Sequence, residues 1–204
     1  MKTVLSRLSV LIIAFLFFNC SSDSGNAPCV PITCLNGGIS TPECSCNCPQ
    51  GYTGSDCSTQ ITPANITITK IRVKYFPNTD AGSYWDASFP TSANAYADIF
   101  LTLQNSSLTE IYRSPTYYKN VVSDGIAYYD FVPSTPINIT SVTSGLVLNL
   151  WDYDGADSNG ISPDDDMGFI VFNLYKSTGG FPSTLTVLDT SKSLGFELTL
   201  SYTW

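Results

Sequence analysis

Short runs of alternating apolar and polar residues fill the chain from residue 66 onward. In residues 66–75 (ITITKIRVKY) the alternation predicts a β-strand with one buried face. Similar runs predict further strands at residues 98–104, 110–113, 126–132, 145–151, 168–174, 185–188 and 194–202. Turn-forming residues separate the runs, and no amphipathic helix interrupts them. Residues 66–204 are therefore predicted to form an antiparallel β-sandwich, and the chain is predicted to be mainly β.

A mostly apolar run lies near the start of the chain, in residues 8–18. Lys2 and Arg7 precede it, and only Ser9 interrupts it. The run is too short to span a bilayer, but it suits the apolar core of a signal peptide. Cys20 follows closely, and the next residues, 21–25, are small and polar. This pattern resembles the signal of bacterial lipoproteins, in which the cysteine thiol is lipidated and the chain is cut just before it.

The lipoprotein resemblance implies a signal peptide at residues 1–19, lipidation of Cys20 and a lipidated tether at residues 20–28. The FFN triplet before the cysteine departs from the usual leucine-led box and is similar to the relaxed boxes of Bacteroidota lipoproteins. The implied location is the bacterial cell envelope, where the protein would be an outer-membrane lipoprotein, with exposure at the cell surface left open. A plain secretory signal cut nearby, with Cys20 as a spare thiol, is the alternative.

The other six of the seven cysteines lie in residues 29–57. A segment this short cannot bury a stabilising core, so in an exported protein these cysteines predict a disulfide framework. Zinc binding by Cys44, Cys46 and Cys48 is the alternative, and export from the cytoplasm makes it the weaker one. The spacing by itself leaves the pairing open.

Residues 34–38 (CLNGG) and 46–57 (CNCPQGYTGSDC) resemble an EGF-like module. The family's pairing would join Cys29 to Cys44, Cys34 to Cys46 and Cys48 to Cys57. The sequence departs from the family at Ser40, where a cysteine is usual, and it lacks the acidic residues that precede the first cysteine in calcium-binding members. The resemblance therefore implies a calcium-free module at residues 29–57, acting as a stiff spacer or binding a partner, with a linker at residues 58–65.

The composition excludes several classes of function. The chain of 204 residues has no histidine, which removes Ser-His-Asp and Cys-His catalysis as well as histidine-ligated zinc and haem. A formal charge of −8 argues against nucleic acid as a partner. Catalysis by paired carboxylates is the remaining enzymatic option. Because there are only three glutamates and the aspartates crowd into one segment, we expect that the protein is not an enzyme.

The aspartates are concentrated in the second half of the chain. Between Lys119 and Lys176 there are eight of them and no lysine or arginine, and six of the eight lie in residues 152–166. Carboxylates this close repel one another unless solvent or a cation relieves the repulsion. A D-x-D pattern in a loop also supplies the oxygen ligands that Ca²⁺ prefers. The segment is therefore either a solvated acidic loop or a calcium site.

The sequence around these aspartates resembles a C2 domain. Residues 148–154 (LNLWDYD), a glycine-containing loop and residues 165–172 (DDMGFIVF) follow the family's pattern, and residues 97–103 (ADIFLTL) resemble the strand after its partner loop. The resemblance implies a C2-like β-sandwich that binds Ca²⁺ through Asp86, Asp98, Asp152, Asp154 and Asp165. Both loops are longer than usual in the family, so Asp86 is the loosest match, and Asp164 or Asp166 is an alternative to Asp165.

These features together predict a membrane-anchored envelope lipoprotein that acts as a calcium-dependent binding or adhesion module. Its ligand at the calcium loops would be a glycan, a protein or a phospholipid, and Tyr84, Trp85 and Phe89 of the first loop are candidate contacts. The alternating basic residues in 70–74 are either a stripe that attracts anionic lipid or the solvent face of a strand. The alternative function is that of a metal-free structural or protein-interaction lipoprotein.

Overall fold

The structure is a computed structural model and describes residues 29–86, 95–154 and 164–204. The strands in these ranges are β1 (Ile39–Ser40), β2 (Cys46–Asn47), β3 (Tyr52–Thr53), β4 (Thr59–Gln60), β5 (Asn65–Tyr75), β6 (Thr79–Asp80), β7 (Ser83–Tyr84), β8 (Ile99–Gln104), β9 (Glu110–Arg113), β10 (Tyr129–Phe131), β11 (Ile137–Ile139), β12 (Leu146–Asp152), β13 (Asp165–Phe172), β14 (Thr184–Asp189) and β15 (Leu194–Thr203). The prediction of a mainly β chain is confirmed. None of the described segments forms a helix long and apolar enough to cross a membrane. Cys20, with the expected signal peptide and tether, lies outside the described residues.

Residues 29–57, called here the disulfide module, are held together by covalent cross-links. The disulfide bonds join Cys29 to Cys44, Cys34 to Cys46 and Cys48 to Cys57. Two short antiparallel ribbons accompany them, one between β1 and β2 and the other between β3 and β4. Cross-links at this density constrain the unfolded chain and so replace the apolar core that a segment of this length lacks.

Two antiparallel sheets form the larger part of the molecule. In the first sheet the strand order is β10–β5–β15–β14, and β11 pairs with the first half of β5. In the second sheet the order is β13–β12–β8–β9. The inward-facing aliphatic and aromatic residues of both sheets share one core, in which Phe196, Ile99 and Leu148 are fully buried. The predicted antiparallel sandwich is therefore present.

Three strands differ from the expectation based on alternation. The run at residues 126–132 yields only the three-residue β10, β11 follows where no strand was predicted, and β13 begins before residue 168. β11 is too short for its alternation to stand out, although Ile137 and Ile139 are buried against β5. The early start of β13 follows from its pairing with β12, which places Asp165 opposite Asp152. That pairing draws the two ends of the acidic segment together.

The disulfide module packs against one end of the sandwich. Gly51 lies under the rings of Phe181 and Trp204, and Tyr52 meets Phe181 edge-on at a centroid distance of 5.3 Å. Phe181 and Trp204 are themselves perpendicular, with their centroids 4.8 Å apart. Aromatic contacts of this geometry stabilise an interface by more than the burial of their apolar area alone. The module is therefore docked in a defined position on the sandwich.

The segment between the module and β5 is also bonded to the sandwich. The side-chain oxygen of Gln60 accepts a hydrogen bond from the N–H of Gly180 at 3.0 Å. The indole N–H of Trp204 donates to the carbonyl of Ile61 at 3.1 Å. Residues 58–65 therefore follow the sandwich surface, and several of their backbone and side-chain groups are tied to it.

The acids of this segment that the structure describes, Asp152, Asp154 and those at residues 164–166, lie at the opposite end of the sandwich from the disulfide module. β5 leaves the module end at Asn65, reaches Tyr75 after 11 residues and leads through β6 and β7 to Asp86. At about 3.3 Å per residue, β5 spans about 35 Å. The segment after β13, which contains Phe181 and contacts the module, leaves β13 at the end opposite to Asp165. The module and the acids are thus separated by the length of the sandwich.

Candidate metal site

The end of β12 and the residue before β8 form the floor of the site. Asp152 pairs with Ile99 across the two strands, and the N–H of Asp98 donates a hydrogen bond to Asp152 Oδ1 at 2.5 Å. The N–H of Tyr153 in turn donates to the carbonyl of Asp98 at 2.8 Å. Because these bonds join two strand ends, the sheet sets the position of the Asp152 carboxylate.

Asp152 is the most unusual residue of the site because none of its surface is exposed (0%). Its Oδ1 receives the N–H of Asp98, whereas no hydrogen-bond donor within the described ranges reaches Oδ2. A buried carboxylate oxygen without a donor costs on the order of 1–3 kcal/mol or more, unless the group is protonated or binds a cation. Oδ2 therefore has the chemistry of a metal ligand.

A short hairpin brings Asp86 to the same place. β6 pairs with β7 through Thr79 and Tyr84, and the indole N–H of Trp85 donates to the carbonyl of Pro77 at 2.8 Å. Asp86 follows directly after this indole. The two strands have two residues each, too few to show alternation, so the sequence did not predict the hairpin.

Asp86, Asp152 and Asp154 together form what is called here the acid cluster. One carboxylate oxygen of each residue lies within 4.8 Å of the others. Asp86 and Asp154 are half-buried, and Asp152 is buried. Ca²⁺ binds oxygen at about 2.3–2.6 Å, so two oxygens on the same ion are at most about 5 Å apart. The spacing of the acid cluster therefore fits one shared cation.

The electrostatics of the acid cluster favour the same interpretation. Burial, followed by the charges of Asp86, Asp154 and Asp98, raises the pKa of Asp152 to about 7, against a lowering effect of the hydrogen bond from the Asp98 N–H. Burial also raises the pKa of Asp154, with smaller contributions from neighbouring acids. Groups that resist ionisation in this way gain most from a nearby cation, which offsets both the lost solvation and the repulsion.

Asp98 and Asp165, also among the expected ligands, stand outside the acid cluster. Asp98 is buried, and its Oδ1 accepts a hydrogen bond from the N–H of Asn120 at 2.6 Å. Asp165 is exposed and acts on Asp154 through its charge. The structure thus brings three of the five expected ligands together. The carboxylate of Asp98 instead binds the backbone N–H of Asn120 and so links that loop to the start of β8.

The two alternatives to Asp165 differ in their roles. Asp166 Oδ1 accepts the N–H of Gly168 at 2.8 Å, which stabilises the irregular start of β13. Asp164 is half-buried and borders a cavity beside the acid cluster. Neither belongs to the acid cluster within the part of the chain that the structure describes.

Asn120 is a residue of the site that sequence reasoning missed. Its backbone N–H binds the Asp98 carboxylate, and its side-chain oxygen accepts the N–H of Tyr96 at 3.0 Å. Its backbone is left-handed, with φ of 50°. Asparagine tolerates this conformation better than most residues. The sequence offers only this conformational preference as a sign of the role of Asn120. Because many asparagines share it, it does not single this residue out.

The first-loop aromatics do not all face solvent. The indole of Trp85 packs against the core and donates to the carbonyl of Pro77, while part of the residue stays exposed, so its contact with a ligand stays a prediction. Tyr84 is 48% exposed and meets Tyr96 edge-on at 5.2 Å. Phe89 lies outside the described residues.

The alternating bases of β5 form ion pairs with acids on neighbouring strands. Arg72 binds Asp130 through two hydrogen bonds of 2.6 and 2.9 Å, and Lys74 Nζ lies 3.4 Å from Glu197. Lys70 also approaches Asp130, at 3.6 Å. The two acids offset most of the positive charge of these bases. This face of β5 is therefore a solvent-facing surface with alternating charges, and it is not a basic stripe that would attract anionic lipid.

Comparisons with known proteins give structural neighbours only. No family model matches the chain, and no curated protein matches it. The similar solved structures include the human GIVD cytosolic phospholipase A2 in complex with methyl gamma-linolenyl fluorophosphonate and terbium chloride. That structure is 15% identical, has a TM-score of 0.43, and the match covers 70% of this chain and 18% of the phospholipase chain.

Two further similar structures are single domains. One is described as a C2 domain, with 11% identity, a TM-score of 0.40 and coverage of 69% of this chain and 98% of that chain. The other is a C2 domain of plant extended synaptotagmin 1, with 15% identity, a TM-score of 0.40 and coverage of 70% and 97%. No ligand or activity follows from similarity at this level, so the function is inferred from the geometry of the site.

Proposed function

We propose that this protein is a calcium-dependent binding or adhesion module of the bacterial cell envelope. The observation that supports the proposal best is the Asp152 carboxylate, which is fully buried and has an oxygen that no described donor reaches. Asp86 and Asp154 place further carboxylate oxygens within 4.8 Å. We propose binding and not catalysis as the role of these acids.

The donor set favours Ca²⁺ over other common ions. All three ligands of the acid cluster are carboxylates, whereas structural zinc sites use cysteine or histidine. Mg²⁺ demands a near-ideal octahedron and keeps several of its waters, while Ca²⁺ accepts irregular sets of six to eight oxygens. Water and ligand oxygens would complete the coordination, so a bound ion would itself contact the partner.

The attachment to the envelope is the second part of the proposal. The apolar run at residues 8–18 and Cys20 support lipidation and an outer-membrane location. In that arrangement the disulfide module lies nearer the anchor and the acid cluster at the far end of the sandwich. A site placed there suits a partner beyond the anchoring membrane, whether that partner is a glycan, a protein or a phospholipid surface.

Thermal unfolding of the processed chain in calcium and in chelator tests the metal site. At free calcium about 100-fold above Kd, binding to the folded state alone stabilises by about 2.7 kcal/mol, which raises Tm by about 5–10 °C. The Asp152→Asn variant should lose this response, and it should be more stable than the wild type in chelator at pH 8 because an asparagine at this position carries no buried charge. The Asp80→Asn variant, which changes an exposed acid at the same end, should respond to calcium like the wild type.

Equal melting of the wild type in calcium and in chelator would contradict the metal site. If Asp152→Asn then stabilised the fold in both conditions, the protein would be better described as a metal-free structural or protein-interaction lipoprotein. In that case the buried acid would be only a destabilising element of the sandwich.

A further inference from the structure

A small cavity lies beside the acid cluster. Its volume is about 190 Å³, and its lining includes Phe100, Arg113, Tyr117, Tyr153 and Asp164. Pockets for drug-sized ligands are larger, about 300–1,000 Å³. This cavity, called here the aromatic pocket, therefore has room for one ring of a ligand, and any larger ligand must extend out of it.

Three aromatic rings give the aromatic pocket its shape. Tyr117 and Tyr153 have their centroids 4.4 Å apart with their planes tilted by 35°. Phe100 stands nearly perpendicular to Tyr153, at 84° and 6.2 Å, and is only 5% exposed. Both tyrosine rings remain half-exposed. A half-exposed pair of aromatic rings over a buried ring provides an apolar surface that is already ordered before a ligand arrives.

The charged groups around the aromatic pocket are of both signs, because the Lys119 ammonium also lies 5.3 Å from the centroid of the Tyr117 ring. The guanidinium of Arg113 lies 5.2 Å above the ring of Phe100, and Glu110 binds it through hydrogen bonds of 2.8 and 3.1 Å. Asp164 places a carboxylate at the pocket, close to the acid cluster. With two cationic and two acidic side chains beside it, the pocket has no excess charge that selects an ionic ligand, whereas a neutral ligand with hydroxyl groups can donate hydrogen bonds to the carboxylates.

The aromatic pocket and the acid cluster share a wall. Tyr153 stands between Asp152 and Asp154 in the chain, and its N–H is bonded to the carbonyl of Asp98. The ring of Tyr153 faces Phe100 and Tyr117, while the carboxylates on either side belong to the acid cluster. A ligand held against Tyr153 therefore lies next to the proposed ion.

From this geometry we infer that the aromatic pocket binds one neutral hexopyranose ring of a glycan. The C–H face of a pyranose packs on aromatic rings, and its hydroxyls suit the carboxylate of Asp164. This inference rests on the proposed function, because it names the ligand class of the same end of the molecule. It adds a second recognition element that does not use the metal ligands.

Saturation-transfer NMR on the processed chain tests the aromatic pocket. The probes are the α and β methyl glycosides of glucose, galactose and mannose at millimolar concentration, with calcium present. We expect saturation transfer to at least one of them. The Tyr117→Ala variant should bind that glycoside about tenfold more weakly, and Tyr128→Ala, which removes an exposed aromatic outside the pocket, should bind it like the wild type.

Three results would overturn the inference. The first is the absence of transfer to all six glycosides with a protein that is folded by circular dichroism. The second is unchanged binding in Tyr117→Ala. Binding of N-acetyl-tyrosinamide in place of every glycoside would also overturn it and assign the pocket to a protein partner.

The calcium response of the melting temperature separates this inference from the proposed function. A protein that calcium stabilises but that binds no glycoside retains its metal site and has no sugar pocket. A protein that binds a glycoside equally well in calcium and chelator, and melts equally in both, has the sugar pocket and no metal site.

Discussion

Asp152 illustrates how one side chain can set the behaviour of a site. It lies at the end of β12, fully buried, and only one of its two oxygens has a hydrogen-bond donor within the described residues. In the metal-free protein the carboxyl resists ionisation, and its pKa is raised to about 7. Calcium binding requires the ionised form, so protons and calcium compete for the same group.

The stability of the metal-free protein should decrease as pH rises from 5 to 8. The pKa of Asp152 is about 7 when folded and 3.8 as a free side chain, so the folded state holds more protons within this window. The contribution of Asp152 to the free energy of unfolding is complete below pH 3.8, the unfolded pKa, and is lost as pH rises through the folded pKa of about 7. Between these values the loss is up to about 1.4 kcal/mol per pH unit. Thermal unfolding in chelator measures the loss, and saturating calcium should reduce it.

The Asp152→Asn variant provides the control for this pH dependence, because asparagine does not titrate. Its melting temperature in chelator should change less between pH 5 and 8 than that of the wild type. A wild-type melting temperature that rises through this window without calcium would contradict the assignment.

The pairing of β12 with β13 shows how a strand irregularity shapes the acidic end. Leu150 opposes Gly168, but the next residue, Trp151, opposes Asp166, so the pairing passes over Met167. The Met167 side chain is buried in the core, and Gly168 has a φ of 119°. Without this bulge the regular register would pair Asp152 with Asp166, so the bulge is what places Asp165 opposite Asp152.

Replacement of Gly168 by alanine should destabilise the sandwich by about 1–3 kcal/mol. The positive φ strains any side chain, and a Cβ at this position would lie 2.9 Å from Leu194 Cδ1. Gly145→Ala is the matched control, because its nearest neighbouring atom would be 3.6 Å away and its φ is ordinary. Chemical denaturation measures both, and equal midpoints for the two variants would contradict the role of the bulge.

At the scale of the whole molecule, the disulfide module and the acid cluster occupy opposite ends of the sandwich. Gly51 and Tyr52 of the module pack against Phe181 and Trp204 of the sandwich. In the segment that follows the module, Gln60 is hydrogen-bonded to Gly180 of the sandwich. The contacts make the module an extension of the sandwich. With the chain anchored through Cys20 as proposed, this arrangement would direct the acid cluster away from the anchoring membrane.

Replacement of Gly51 by valine should detach the module from the sandwich. A Cβ at this position would come within 2.5 Å of Phe181 and 2.6 Å of Trp204, and the φ of 90° adds backbone strain. We expect faster limited proteolysis within residues 58–65, together with an intact calcium response. The control Gly37→Val carries similar strain at φ of 82° but has no neighbour within 4 Å of an added Cβ, so residues 58–65 should be cleaved as in the wild type. Equal cleavage of the two variants would contradict the docking.

Several properties of this protein were determined by local sequence alone. Alternating apolar residues predicted the long strands, because a strand with one buried face needs a side chain of each kind in turn. The cysteine spacing predicted a disulfide framework, and the D-x-D pattern marked Asp152 and Asp154 as candidate ligands, because those residues are neighbours in the chain. β6, β7 and β11 were missed because two or three residues cannot display a period.

Other properties were decided only by the tertiary structure. Burial of Asp152 depends on what covers it, and Asp86 reaches Asp152 only because a hairpin follows β5. Tyr117 and Tyr153 meet across different loops, and Trp85 turns toward Pro77 and the core. The seat of the disulfide module on Phe181 and Trp204 joins residues far apart in the chain. Sequence periodicity records which face of an element is apolar, whereas contacts between elements are set by how whole sheets and loops pack.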